Sequence, residues 1–95
     1  MPAYLIADIT VNNPELYAEY RRQVPATVEK HGGRFLVRGG ATETLEGDWH
    51  PSRVIVIEFP DMAAANAWYH SQEYGPLITL RQKAATGPVI MVEGA

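Results

Sequence analysis

Three charged residues lie inside or at the ends of segments that otherwise consist of apolar, β-branched residues: Asp8, Arg38 and Glu58. A charge near a hydrophobic core is costly unless it is paired. One interpretation is structural: Arg38 meets the carboxylate of Glu58 or Asp8 and fixes the register of the strands. The other is functional: Arg38 and Arg53 present guanidinium groups to an anionic or carbonyl-bearing ligand. The residues alone leave both interpretations open.

A second group combines aromatic rings with one arginine in the last third of the chain. Arg81 shares the side of a predicted helix with two leucines, so its guanidinium either extends to the surface or reaches a pocket. Buried tyrosine hydroxyls need hydrogen-bond partners, which makes Tyr69 and Tyr74 better pocket candidates than Trp68, whose simplest role is core packing. Together with the strand charges, these residues define the candidate ligand pocket: Arg38, Glu58, Trp68, Tyr69, Tyr74 and Arg81.

Several kinds of chemistry lack the residues they need. The chain has no cysteine, which excludes thiolate catalysis, disulfides and zinc–thiolate sites. Neither Ser52 nor Ser71 lies in a nucleophile motif. Gly39-Gly40 is typical of a turn that ends a strand, since no helix follows to hold a phosphate. The histidines and acids show no spacing with a third metal ligand, so we expect no metal site and no cofactor.

Four segments rich in apolar and β-branched residues predict strands. They are Tyr4–Val11, Arg34–Arg38, Arg53–Phe59 and Pro88–Glu93. A helix is predicted from Pro14, capped by Asn13 and kinked at Pro25, because apolar residues recur at every fourth position up to Val28. A second helix is predicted after Asp61, with a break near residues 71–75 and a new start at Pro76.

The order of these elements, β-α-β-β-α-β, predicts an α+β protein of the ferredoxin-like type over residues 1–95. Right-handed crossovers place both helices on one face of a four-stranded antiparallel sheet. The strands are nevertheless apolar on both sides: Leu5 and Ala7 oppose Ile6, and Val56 opposes Ile55. Because two helices cover only one face, we predict that a second copy covers the other.

The composition of the chain limits the classes of binding partner that we expect. The net charge is −3 and the basic residues are scattered, so nucleic-acid binding is not expected. No apolar run reaches the roughly 20 residues of a membrane helix, and the first residues do not resemble a signal peptide. Since small extracellular domains often carry disulfides, the absence of cysteine favours the cytoplasm.

Five segments of the chain, in this order, carry a resemblance to a known family: Tyr17–Tyr20, Gly32–Gly40, Leu45–Trp49, Arg53–Pro60 and Ala67–Tyr74. On these segments the sequence resembles the domain-of-unknown-function family 1330 along essentially its whole length. Gly75-Pro76 departs from the plainer helical sequence of that family. The family is similar in fold to the dimeric α/β-barrel superfamily, which implies the homodimer and includes cofactor-free monooxygenases, haem-degrading enzymes, lactone isomerases and ligand-binding proteins.

The resemblance implies three functional hypotheses. The first is a small-molecule binding protein, or a cofactor-free enzyme, with its pocket between sheet and helices. The second is a non-catalytic dimeric structural or stress-type module. The third is haem binding, for which a relative would use Asn, Trp and His. Here Asn66 and His70 share one side of a helix whereas Trp68 faces the opposite way, which disfavours haem. No catalytic residue can be named.

Overall fold

A computed structural model describes all of residues 1–95. The chain forms six strands and three helices. The strands are β1 (Ala3–Asp8), β2 (Thr10–Val11), β3 (Arg34–Arg38), β4 (Val54–Phe59), β5 (Ala85–Thr86) and β6 (Val89–Glu93). The helices are α1 (Pro14–Lys30), α2 (Met62–Tyr69) and α3 (Gly75–Ala84).

The main sheet has the order β3-β4-β1-β6, and each pair of neighbours is antiparallel. The α1 helix connects β1 to the edge strand β3, and α2 and α3 connect β4 to the opposite edge. This arrangement confirms the predicted ferredoxin-like α+β fold. Between Phe35 and Val37 the pairing of β3 with β4 shifts at a bulge, after which Arg38 lies opposite Ile55.

The first predicted strand is divided in two. Up to Ala7 the chain pairs with β4 and β6, but the N–H of Ile9 already donates to the carbonyl of Arg53 at 2.8 Å, beyond the end of β4. From Thr10 onwards the chain leaves the sheet and pairs with β5 in a separate two-stranded ribbon. Gly87 permits this crossing, because a Cβ at that position would lie 1.8 Å from the carbonyl oxygen of Asp8.

The α1 helix begins and continues as its sequence predicts. The side chain of Asn13 accepts a hydrogen bond from the N–H of Leu16 at 3.2 Å, which caps the first turn. The helix continues through Pro25 to Lys30. Because proline has no N–H, the carbonyl of Arg21, one turn earlier, lacks its usual helical donor.

The second crossover is split, also as predicted. Asp61 caps α2 by accepting from the N–H of Ala64 at 2.8 Å. The hydroxyl of Ser71 then donates to the carbonyl of Trp68 at 2.7 Å and accepts from the N–H of Tyr74 at 3.2 Å. These bonds shape the turn between the two helices, and α3 begins at Gly75 with Pro76 in its first turn.

The two faces of the sheet differ in their cover. Residues that alternate along β1 and β4 point toward the helices and are buried, as Leu5, Ile55 and Ile57 are. The residues between them form what we call the open face, on which no element of the chain packs. Its apolar residues on the central and edge strands are Tyr4, Ile6, Val37, Val54, Val56, Ile90 and Val92.

Candidate functional site

A cavity of about 30 Å³ lies between the helix-covered face of the sheet and the helices. Twelve of its fifteen lining residues are hydrophobic, and none is acidic. A space of this size holds one or two water molecules. The polar groups that reach it are three arginines and the hydroxyls of the tyrosines: Tyr17, Tyr20, Arg21, Arg38, Tyr74 and Arg81.

An aromatic stack forms the floor of the cavity. The ring of Trp68, which is fully buried, stacks on that of Tyr74 with centroids 4.0 Å apart. Its indole N–H donates to the hydroxyl of Thr27 at 2.9 Å, and that hydroxyl donates to the carbonyl of Val24 at 2.7 Å. Since each polar atom of this stack has a partner, Trp68 is a rigid support.

A hydrogen-bonded cluster of Tyr20, Tyr74 and Arg81, which we call the phenol cluster, lies beside this stack. Arg81 donates from Nη1 to the hydroxyl of Tyr74 at 2.9 Å. The hydroxyls of Tyr20 and Tyr74 are 2.7 Å apart. Because Tyr20 belongs to α1, Arg81 to α3 and Tyr74 immediately precedes α3, the cluster joins α1 to α3.

The phenol cluster has one hydrogen more than it uses internally. Arginine can only donate, so the Tyr74 hydroxyl accepts from Arg81. One of the two phenols then donates to the other, and the second phenolic hydrogen has no partner within the protein. Both tyrosines line the cavity. The cluster can therefore donate a hydrogen bond to an acceptor oxygen placed there.

Burial also fixes the protonation of this cluster. Removal from water raises the pKa of Tyr20 and, more strongly, that of Tyr74. Both phenols are accordingly protonated at neutral pH. In this state they are hydrogen-bond donors, and the positive charge of Arg81 lies directly behind Tyr74.

Two further arginines, Arg21 and Arg38, line the cavity at its open end, which we call the mouth. Arg38 donates from Nη2 to the carbonyl of Arg21 at 2.7 Å and lies 4.5 Å over the ring of Phe35. Arg53 does not line the cavity itself, but its guanidinium lies 5.6 Å over the ring of Tyr17, which does, and Nη2 lies 3.5 Å from the carbonyl of Arg38. Outside the mouth, Arg21, Arg22 and Arg38 line a shallow bowl that is open to solvent.

Four of the six predicted pocket residues line the cavity, and two do not. Arg38, Trp68, Tyr74 and Arg81 line it. Glu58 lies on the open face, where its carboxylate accepts from Arg34 at 2.8 Å. Strand alternation explains this position, because Ile57 and Phe59 on either side of Glu58 face the helices. The pairing of Arg38 with Glu58 or Asp8 is therefore wrong.

Tyr69 and Asp8 also lie outside the cavity lining. The ring of Tyr69 packs against those of Trp68 and Tyr74, but borders a groove on the outer side of α2. Asp8 accepts from the indole N–H of Trp49 at 2.8 Å and from the N–H of Ser52 at 2.9 Å. Asp8 thus anchors the long loop before β4.

The residues of the haem hypothesis do not converge. Trp68 points into the core, whereas Asn66 and His70 are exposed on the outer side of α2. Asn66 donates to the carbonyl of Met62 at 3.1 Å. This geometry agrees with the predicted division of the helix faces. No group of three or more histidine and acidic side chains lies close enough together to hold a metal ion.

Sequence reasoning missed Tyr20 and Arg21. Tyr20 belongs to the apolar stripe of α1 and was interpreted as core. Its hydroxyl could have revealed a polar role, because a buried tyrosine hydroxyl needs a hydrogen-bond partner, and Tyr74 provides one. Arg21 follows it directly and thus lies at the edge of the stripe, where its side chain reaches the mouth of the cavity.

The fold and the cavity together define the class of protein to which this chain belongs. It is a ferredoxin-like α+β protein with a small, mostly apolar cavity between sheet and helices. The family model described as a domain of unknown function, DUF1330, matches residues 2–95. The chain belongs to this family. No curated protein matches the sequence.

Solved structures share the fold at low sequence identity. RPA0582, a protein of unknown function from Rhodopseudomonas palustris, is 23% identical, with a TM-score of 0.79 over 99% of this chain and 82% of that chain. SnoaB, a cofactor-independent oxygenase from Streptomyces nogalater, is 14% identical, with a TM-score of 0.67 over 99% and 93%. HapK from Hahella chejuensis is 19% identical, with a TM-score of 0.67 over 98% and 92%.

None of the three helices combines the length and the hydropathy that crossing a bilayer requires.

Proposed function

We propose that this protein binds a small organic molecule, with an anionic or carbonyl oxygen, in the cavity between the sheet and the helices. The phenol cluster carries this proposal. It directs a phenolic hydrogen without an internal partner into a cavity whose other walls are mostly apolar. A buried donor without a partner is costly, and an acceptor oxygen on a ligand would satisfy it.

The volume of the cavity limits how such a ligand enters. About 30 Å³ accommodates water but not an organic ring. The body of the ligand must therefore displace side chains at the mouth. Arg21 is exposed at the mouth, whereas Trp68 is fully buried in the floor, so the side chain of Arg21 moves aside more readily than the floor does.

The same proposal includes a homodimer formed through the open face. Two features of this face support a second copy as its partner. Its apolar side chains are half-buried on the two central strands and exposed on the two edge strands of the single chain, where Ile90 is 57% and Val92 42% exposed. The charged pair on this face, Arg34 with Glu58, is already formed within the chain, so a second copy would bury no unpaired charge there. A cytoplasmic location without nucleic-acid or membrane partners remains a prediction.

A reaction without cofactor is the second candidate function, and the phenol cluster is again the observation that favours it. A phenolic hydrogen backed by the Arg81 cation would stabilise negative charge that develops on a carbonyl oxygen of a substrate. SnoaB, a cofactor-independent oxygenase, has the same fold, although fold alone does not determine activity. A non-catalytic dimeric module is the alternative to both candidates.

A ligand titration tests the proposed binding. Aromatic amides and ketones supply the acceptor oxygen without a charge, and isothermal titration calorimetry measures their affinity. We expect Tyr74→Phe and Tyr20→Phe each to weaken binding by about tenfold, since each removes a hydroxyl of the cluster. Tyr4→Phe, on the open face, is the matched control and should bind as the unmodified protein does. If no amide, ketone or acid binds, the protein is a non-catalytic module.

A further inference from the structure

We propose that Arg21, Arg38 and Arg53 form a carboxylate-binding site at the mouth of the cavity, so that the ligand is an organic acid whose apolar body faces inward. This inference rests on the proposed ligand-binding function, and it specifies the class of ligand. We call these three residues the arginine rim. In an acid that carries a second oxygen at its inner end, the phenol cluster would donate to that oxygen, so that the cluster and the rim contact opposite ends of one molecule. A simple acid tests the rim alone.

Arg38 is held in place by an interruption in α1. The missing N–H of Pro25 leaves the carbonyl of Arg21 without its helical donor, and Arg38 donates to that carbonyl at 2.7 Å. The guanidinium also rests on the ring of Phe35. With one N–H committed to a neutral carbonyl, Arg38 keeps its full charge and its other donors for a ligand. Pro25 is a positioning residue in this sense.

Arg53 is held against the backbone at a glycine. Gly39 has a φ of +75°, and a Cβ there would lie 2.2 Å from Nη1 of Arg53. In this position Nε of Arg53 is buried without a hydrogen-bond partner, and Nη2 is 3.5 Å from the carbonyl of Arg38. Gly39 therefore does more than end a strand: it makes room for a guanidinium beside Arg38.

The arginine rim lacks negative charge. The chain has three ion pairs, Arg22 with Glu19, Lys30 with Glu73 and Arg34 with Glu58, and none includes a rim residue. This excess of positive charge is confined to the rim, since the whole chain has a net charge of −3. Burial, together with the nearby charges of Arg21 and Arg53, lowers the pKa of Arg38. Like charges gathered without a counter-charge are costly, and a bound anion would offset that cost.

The surroundings of the rim favour an organic acid over a simple ion. Planar guanidinium groups bind carboxylates through paired hydrogen bonds. Behind the rim lies a cavity with mostly hydrophobic walls, and in front of it lies the solvent-filled bowl. A carboxylate at the rim would keep its charge near water while its apolar part contacted the hydrophobic walls of the cavity.

Pairs of acids and their amides test this inference. Propionate, benzoate and cinnamate are each compared with the corresponding primary amide by isothermal titration calorimetry at low salt. The two members of a pair have nearly the same shape and both carry a carbonyl oxygen. We expect each acid to bind at least about tenfold more tightly than its amide, and salt to reduce this preference. Arg38→Gln and Arg53→Gln should each abolish most of the preference while leaving amide affinity unchanged.

The control is Arg34→Gln, which removes an arginine of the open face and should keep the preference for acids. If Arg38→Gln or Arg53→Gln fails to fold, as circular dichroism would show, the exposed Arg21→Gln tests the rim instead. Equal affinity of acids and amides would overturn the carboxylate site but leave the proposed function intact. Binding of neither would overturn the proposed function itself. Inorganic phosphate is added as a competitor of benzoate. If phosphate displaced benzoate with equal affinity, the rim would be a general anion site, and the proposed selectivity for carboxylates would be overturned.

Discussion

The two faces of the central sheet are built from the same strands and nearly the same residue types, yet they have different roles. On the helix-covered face, Ile55 and Ile57 are almost completely buried. On the open face of the same strands, Val54 and Val56 are only half-buried. One face receives its cover from the chain itself, and we propose that the other receives it from a second copy. Residue type alone does not distinguish a core from an interface.

The polar groups sharpen the contrast between the faces. On the open face, Arg34 and Glu58 satisfy one another. On the helix-covered face, the arginine rim and the phenol cluster retain donors without protein partners. A charge that is paired within the chain stabilises the fold, whereas hydrogen-bond donors without a protein partner beside a cavity are available to a ligand. The following experiments test this division, beginning with the largest expected effect.

Replacing Trp68 should remove much of the stability of the helix-covered face. Trp68→Ala leaves a cavity under the helices and deprives Thr27 of its indole donor. We expect the free energy of unfolding to fall by about 3–5 kcal/mol in urea titrations. Trp49→Ala is the matched control, because Trp49 is 60% exposed and should cost about 1 kcal/mol or less. Similar losses for the two variants would show that the helices do not cover the main core.

A charge on the open face should separate the copies without unfolding the chain. Ile90→Lys places one added positive charge from each copy in the interface of the proposed dimer. We expect the dissociation constant of the dimer to rise about a hundredfold, measured by light scattering at several concentrations. Leu45→Lys, in the exposed loop, should leave the dimer intact. A mass near 10.5 kDa for the unmodified protein at every concentration would contradict the proposed interface.

Restoring the helical hydrogen bond at position 25 should change stability and binding in opposite directions. Pro25→Ala supplies an N–H to the carbonyl of Arg21 and competes with Arg38 for it. We expect the free energy of unfolding to rise by about 1–2 kcal/mol, and the affinity for benzoate to fall about threefold with benzamide unchanged. Gln23→Ala, on the exposed side of α1, should do neither. If Pro25→Ala were more stable but bound benzoate with normal affinity, Pro25 would have no role in positioning Arg38.

Much of this fold could be predicted from the sequence, because its signals are local. The Asn13 and Asp61 caps, the turn before Pro76 and the alternation of apolar residues each depend on neighbours within a few positions. The break of the first strand at Ile9 could not be predicted this way. It depends on Arg53, far along the chain, which supplies the partner carbonyl.

The candidate site was less predictable for the same reason. Tyr20 meets Tyr74 across 54 positions, and the hydroxyl of one explains the burial of the other. The position of Arg38 in a strand predicts a carboxylate partner, but one of its N–H groups donates instead to the carbonyl left free by Pro25. A charge can be predicted to need a partner from its local sequence, whereas the identity of that partner is set by tertiary packing.

The smallest expected effect concerns the edge of the open face, where Asp8 anchors Trp49. The hydrogen bond from the Trp49 indole, followed by those from the Ser52 and Arg53 amides, lowers the pKa of Asp8 below its usual value of 3.8, although partial burial opposes this. The folded form therefore binds a proton less readily than the unfolded chain. The anchor contributes its stability above pH 4 and loses it as the pH falls through the lowered pKa.

Fluorescence can follow this loss, because Trp68→Phe leaves Trp49 as the single tryptophan. We expect the Trp49 emission to change with a midpoint below pH 3.8, while far-UV circular dichroism reports that the sheet remains folded. Asp8→Asn keeps an acceptor oxygen but has no proton to gain, so its emission should not titrate in this range. A midpoint at or above 3.8 would mean that the anchored form does not favour the ionised Asp8. The loop at the edge of the open face would then be held by packing alone, and acid would not release it.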